Sequence, residues 1–142
     1  MIVADANLLV YALHAQMPQH HGARAWLGDC LNGDEPLALC WVVILAVVRL
    51  STNSRLFPAA LTVDQALGVV QGWLDHPGVV LLQPGADHWR ILSGLLRDAG
   101  QAGNLTPDAH LAALAIEHDA QLHSCDGDFR RFAQLRFRNP LT

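Results

Sequence analysis

The stretch from Asn104 to Phe129, NLTPDAHLAALAIEHDAQLHSCDGDF, constrains the fold more than any other part of the chain. Thr106 is a good N-cap, Pro107 suits the first helical position, and Asp108 falls in the first turn, where a carboxylate meets the positive end of the helix dipole. The helix body, His110 to Ile116, is apolar on nearly every side, which predicts packing against a sheet rather than one wet face. Polar residues from Glu117 to Gln121 end it. Leu122 to Cys125 then reads as a buried parallel strand whose carboxyl end opens into Asp126-Gly127-Asp128. In open α/β sheets that edge is where ligands bind.

The rest of the chain supplies strands and helices in alternation. Ile2 to Ala4 is β-branched and apolar, and Asp5-Ala6-Asn7 breaks it, so the first strand ends in an acid and an amide and is expected to lie centrally. Leu8 to Leu13 and Pro18 to Leu31 read as helices, the second stopped at Asn32-Gly33. Pro36 to Cys40 is a second strand. Trp41 to Leu50 reads as a helix despite its β-branched content. Thr62 to Gln65 fits a capping box that opens a helix as far as Leu74, and Val79 to Leu82 follows as a third strand. Ala86 to Arg97 is a helix with Trp89, Leu92, Leu95 and Leu96 expected inward and Gly100 ending it; a Gly103-Asn104 loop follows. Phe129 to Phe132 makes a short helical turn, and Arg136 to Arg138 is an edge-strand candidate. This order predicts a three-layer α/β/α sandwich with a mostly parallel central sheet and right-handed crossovers. With no repeat and no internal linker, residues 1–142 are expected to form a single domain.

Composition then removes whole classes of function. All nine basic residues are Arg and the formal charge is -4, which argues against gripping nucleic acid through a broad basic surface. Any nucleic-acid chemistry must recruit cations. Cys30, Cys40 and Cys125 lack CxxC spacing, so neither a disulfide framework nor a thiolate zinc site is expected, and a reduced, cytoplasmic setting fits best. No apolar run of about eighteen residues is present, so membrane insertion is not expected. With 51% hydrophobic residues, apolar surface is expected to be kept for a partner, in an exposed groove beside the N-terminal helices, near Trp26 and Leu27.

No GxxxxGK phosphate loop, GxGxxG turn, HExxH or GxSxG elbow occurs. What remains is acids at strand ends and a helix start: Asp5, Asp108, Asp126 and Asp128. Several carboxylates brought together raise one another's pKa values unless a divalent cation neutralises them, and all-oxygen ligands suit Mg²⁺ or Mn²⁺. Each acid alone has an ordinary reading. Asp5 can simply end a strand, Asp108 can serve the helix dipole, and Asp-Gly-Asp is a common turn composition. Their joint placement at one sheet edge favours a site. Asn7 and Asn104 can orient ligands or bond their own turns. None of the eight histidines has zinc spacing.

The opening Met1-Ile-Val-Ala-Asp5-Ala-Asn7, the Trp41 to Arg49 segment with Thr52-Asn53, the Asn104 to Ala115 stretch, Ser124-Cys-Asp126-Gly-Asp128-Phe and the closing Asn139-Pro140-Leu141 together resemble a PIN-domain ribonuclease of the VapC toxin type. The resemblance implies a Mg²⁺- or Mn²⁺-dependent endoribonuclease, homodimeric, restrained by a cognate VapB-type antitoxin that lays a segment in an apolar groove and extends a basic side chain to the acids. It implies that Asp5, Asp108, Asp126 and Asp128 hold the metal, with Asp5, Asp108 and Asp126 catalytic and Asn7, Asn104, Arg49 and Ser124 supporting. One position departs from the family pattern. A Glu three residues before the position of Arg49 is usual, and here it is Ala46; Glu35 and Glu117, the only glutamates, are not placed to substitute. A site one carboxylate short should bind its cation more weakly. The alternative is a catalytically silent PIN-like fold acting as a binding module.

Overall fold

A computed structural model describes residues 1–142. Five strands, β1 (Ile2–Ala4), β2 (Leu37–Leu39), β3 (Val79–Leu81), β4 (Gln121–His123) and β5 (Phe137–Arg138), form one sheet in the order β3-β2-β1-β4-β5. Every pairing is parallel. The sheet is short-stranded, and its middle is dry: Val3, Ala4, Leu37, Ala38, Leu39 and Leu122 are buried. Uninterrupted apolar residues are what a parallel strand covered on both faces requires.

Between β1 and β2 run α1 (Ala6–Leu13) and α2 (His20–Asn32), and between β2 and β3 run α3 (Trp41–Ser51) and α4 (Val63–Asp75). The return from β3 to β4 crosses through α5 (His88–Ala99) and α6 (Thr106–Glu117). Chain order moves outward from β1 through β2 to β3, then back to the other side of β1 at β4. That reversal puts a topological switch point between β1 and β4, where the connections diverge and leave a crevice at the carboxyl ends. One continuous hydrophobic cluster joins both helical layers to the sheet. In α6, Ala109 and Leu111 to Ala115 are all buried, so the Ala-rich helix lies directly on the sheet as its all-round apolarity predicts.

Several local expectations hold. Thr62 and Gln65 cap α4 reciprocally, and Gly100 ends α5 in the left-handed conformation at φ 70°. Others need correction. Thr106 is not the N-cap of α6. A 3-10 turn over Gly103–Leu105, where a loop was expected, runs straight into the helix, so Leu105 is the cap and Thr106 is already helical. The Thr106 amide then finds the Gly103 carbonyl, and no side-chain cap is required. Trp89 does not point inward; it is 73% exposed. The spacing of Trp89, Leu92 and Leu96 imitates an apolar stripe, but α5 turns Leu95 into the core, with Ile91, Leu92 and Leu96 beside it. Trp26 and Leu27 are largely buried, and the cavity that Trp26 does border on α2 is lined by Asp29, Asp34, Glu35 and Arg138, so it is polar where an apolar groove was expected. Five exposed large apolar side chains lie on α3 and α4, at Trp41, Val42, Leu45, Val63 and Leu67, with Leu56 between those helices and Val80 and Leu81 on β3. No helix is long and apolar enough to cross a membrane.

Candidate active site

The β1–β4 register builds the centre of the site. Ala4 lies opposite His123, and the Asp5 amide donates to the His123 carbonyl at 3.0 Å, so the residues that follow each strand, Asp5 and Ser124, meet at the carboxyl edge. Ser124 Oγ donates to Asp5 Oδ2 at 2.6 Å and accepts from Asn7 Nδ2 at 3.1 Å and from the Asp126 amide at 2.9 Å. One donor and two lone pairs are the whole capacity of a hydroxyl, so this buried side chain is fully committed. Asp5 Oδ1 takes the Ala6 amide at 2.7 Å, and Asn7 Oδ1 takes the Cys125 amide at 3.3 Å. The start of α1 is thereby fastened to the loop after β4.

Asp126 in turn accepts the Asp128 amide at 2.9 Å, turning the chain into a second 3-10 turn, Gly127–Arg131. Phe129 holds that turn in place. It is fully buried and its ring stacks on Phe137 of β5 with centroids 5.9 Å apart. Removing such a ring typically costs about 3–5 kcal/mol, so the acidic loop is tied to the core and not loosely hung from it.

Burial pushes the Asp5 carboxyl up, against the hydrogen bonds from Ser124 and Ala6, with the Asp126 charge adding to the rise. The Asp108 carboxyl, in the first turn of α6, is pushed up to about 6, by burial first and then by Asp126, Asp5 and Asp128; the Arg131 guanidinium works against this. The helix N-terminus alone would act the other way. Burial and like charge together outweigh it.

Asp108 borders two cavities. One of about 420 Å³ holds Asp5, Ala46 and Arg49 as well; the other, of about 360 Å³, holds Asn104, Asp128 and Arg131. Every sequence-selected position therefore falls in one neighbourhood: Asp5, Asn7, Ser124 and Asp126 in a hydrogen-bonded network, with Arg49, Ala46, Asn104 and Asp128 lining the cavities beside it. Arg131 was missed. Its signal was its position three residues after Asp128, which allows an ion pair on one turn, here 3.9 Å.

The donor set is all carboxylate, which is the chemistry a hard divalent cation requires. No group of three His, Cys, Asp or Glu side chains is arranged to hold a metal ion. A larger cavity of about 600 Å³ lies elsewhere, between α2 and the β4–β5 edge. Its Trp26 and His123 are bonded to each other at 2.9 Å, and its Glu35 to the N-terminal ammonium at 2.7 Å.

The model of the PIN domain family matches residues 2–135. Ribonuclease VapC33 of Mycobacterium tuberculosis is 43% identical over 141 residues, covering 99% of both chains. Among solved structures, VapBC-1 from nontypeable Haemophilus influenzae superposes with a TM-score of 0.70 at 16% identity, covering all of both chains. A toxin-antitoxin complex from Klebsiella pneumoniae gives 0.67 at 14% identity, covering 99% of this chain and 98% of the other. At those identities the two structures speak to the fold alone. The chain belongs to the VapC family of PIN-domain proteins.

Proposed function

We propose that this protein is the endoribonuclease of a type II toxin–antitoxin pair, hydrolysing RNA phosphodiester bonds with Mg²⁺ or Mn²⁺ at the acidic edge. The observation that carries the reading is the β1–β4 register, which brings Asp5 and Asp126 onto one serine beside the cavities that contain Asp108. Full-length similarity to a protein named a ribonuclease supports the substrate class.

Asp5 and Asp108 would hold the cation directly, with Asp126 and Asp128 offering further oxygens through water. Two carboxylates are enough for Mg²⁺, which keeps several waters and takes phosphate oxygens as ligands. When bound, the cation supplies a lower pKa for a neighbouring water and offsets charge on the phosphate. Asp5, fixed by Ser124 and the Ala6 amide, keeps its oxygens in one orientation. Asp108, whose carboxyl is pushed up by burial and by the charges of Asp126, Asp5 and Asp128, is the acid whose ionised form a bound cation would favour most. Asn7 acts through Ser124 and Cys125, as a brace for the loop. Ala46 supplies no oxygen where the family pattern has a Glu, so activity is weakened.

The partners follow the same reading. A cognate VapB-type antitoxin covers apolar surface on α3 and α4 and reaches the acids with a basic side chain, the protein pairs with a second copy of itself, and the setting is cytoplasmic. The second reading, a catalytically silent binding module, is favoured by Ala46, which leaves the cavity at Asp5 and Asp108 without the carboxylate of the family pattern.

Titrating Mn²⁺ into the free protein and following the unbound ion by electron paramagnetic resonance separates the two. Specific binding that disappears in Asp5→Ala supports the enzyme. Binding that is absent, or unaltered by that substitution, leaves the silent module.

A further inference from the structure

Residues 52–62, which join α3 to α4, form neither helix nor strand, and Phe57 is the one buried side chain among them. Its ring lies flat on the His14 imidazole at the end of α1, with centroids 3.8 Å apart and planes 10° from parallel. The hydrogen bonds of the segment do not reach α1. The Phe57 amide donates to the Asn53 carbonyl at 3.1 Å, the Ala60 amide to the Phe57 carbonyl at 3.1 Å and the Leu61 amide to the Ser51 carbonyl at 2.9 Å. A long connection is thus fastened to α1 by one stacked pair, which places it at the low end of local stability.

His14 is 2% exposed, and its Nε2 has no hydrogen-bond partner. Gln19 Oε1, in the turn before α2, and Ser51 Oγ, at the last residue of α3, are buried without partners as well. Each such atom regains a hydrogen bond when water reaches it, so these groups favour opening. A neutral imidazole tolerates this corner, whereas an imidazolium loses its water there and gains no anion. The surrounding turns carry Tyr11 on α1, His20, His21 and Arg24 on α2, Arg49 on α3 and Arg55 in the segment, with no carboxylate among them. Burial pushes the His14 imidazole down from its ordinary value, and the His20 charge adds to this. Attraction of an imidazolium to the Phe57 ring works the other way and does not replace the lost water.

We propose that the His14–Phe57 stack is an acid-sensitive latch, closed with the imidazole neutral and released when it takes up a proton. Release frees residues 52–62 and with them the end of α3, the helix whose Ala46 and Arg49 line the cavity at Asp5 and Asp108. The open segment binds the proton near pH 6.5 and the closed one only at lower pH, so opening becomes easier as pH falls below about 6.5 and is unaffected above it. The latch works whether or not the acidic edge cuts RNA.

The test is amide hydrogen exchange of the intact protein, read by NMR at pH 7.5 and 5.5 and corrected for intrinsic rates, together with titration of the His14 ring. The Phe57, Ala60 and Leu61 amides should exchange faster than the Leu122 amide of β4, which reports global unfolding. Their protection should fall about three- to tenfold between the two pH values. His14→Phe should abolish that fall, His20→Gln should keep it, and Phe57→Leu should speed exchange already at pH 7.5. Protection that is equal at both pH values, a fall that persists in His14→Phe or vanishes in His20→Gln, a Phe57→Leu variant that exchanges like the parent, or a His14 ring that titrates at about 6.5 or above would each overturn the latch. Should His14→Phe fail to fold, the parent's exchange and ring titration decide the matter.

Discussion

Asp108 holds its proton to about pH 6, whereas an aspartate in an unfolded chain releases it near 4. Between those values the folded chain binds the proton and the unfolded chain does not, so stability falls as pH rises through this window and stays lower above it. The carboxyl is partly open to solvent, and screening reduces the effect to about 1 kcal/mol. In chelator at pH 7.5, Asp108→Asn should therefore melt about 3 °C above the parent, with the difference gone at pH 4. Millimolar Mg²⁺ should raise the parent's Tm and leave the variant's unchanged. A variant that melts below the parent in chelator would contradict this.

Ala46 poses the complementary question at the same scale. It is half-buried and lines the cavity that holds Asp5 and Asp108, one helical turn from Arg49. Ala46→Glu should tighten Mg²⁺ binding about ten- to a hundredfold, read by calorimetry and by a larger Mg²⁺-dependent rise in Tm. A Glu without a cation partner would instead be an uncompensated charge against packed side chains. Lower stability at every Mg²⁺ concentration with no tighter binding would show that the position does not serve the site.

At the scale of elements, α2 is pinned to β4 by a single polar contact, the Trp26 indole donating to His123 Nδ1. Burial is the main reason the His123 imidazole is pushed down to about 4, helped by Arg138 and opposed by Glu35. The unfolded chain takes up that proton first, near 6.5, so this contribution to stability is lost as pH falls from about 6.5 towards 4. Its slope opposes that of Asp108 across part of the same window. Trp26→Phe keeps an aromatic ring but removes the donor and part of the indole, and should cost at least about 1–2 kcal/mol in urea unfolding at pH 7. His123→Leu should flatten the loss on acidification. An unchanged midpoint in the first or an unchanged acid loss in the second would refute the pin.

Elements were legible in the sequence where the signal was local. The capping box at Thr62, the stop at Gly100 and the apolar body of α6 are each written in a few adjacent residues. Trp89 and Thr106 were misread because their environments are set from outside: the face of α5 that is buried depends on α6, and the cap of α6 depends on a 3-10 turn that periodicity does not reveal. Trp26 and Leu27 belong with them, since an apolar helix face reads alike whether it packs on the sheet or awaits a partner, and the cavity that Trp26 borders is polar.

For the whole molecule, strand order does what no segment can do alone. It brings Asp5 and Ser124, 119 residues apart in the chain, within 2.6 Å at the switch point. The acids were legible because strand ends in a parallel sheet share an edge. The saturated hydroxyl of Ser124 and the cations at Arg49 and Arg131 are products of register and loop path. With a net charge of -4 and no lysine, the molecule has little general attraction for RNA, so the proposed activity is expected to depend on a cation bound at this one edge. The most direct test is cleavage of single-stranded RNA at pH 7.5, with Mg²⁺ or with chelator, by the parent, Asp5→Ala and Asp108→Asn. Cleavage should require Mg²⁺ and fall about a hundredfold or more in either folded variant. Cleavage that persists in chelator, or proceeds equally in both variants, would contradict the assignment of the chemistry to these acids.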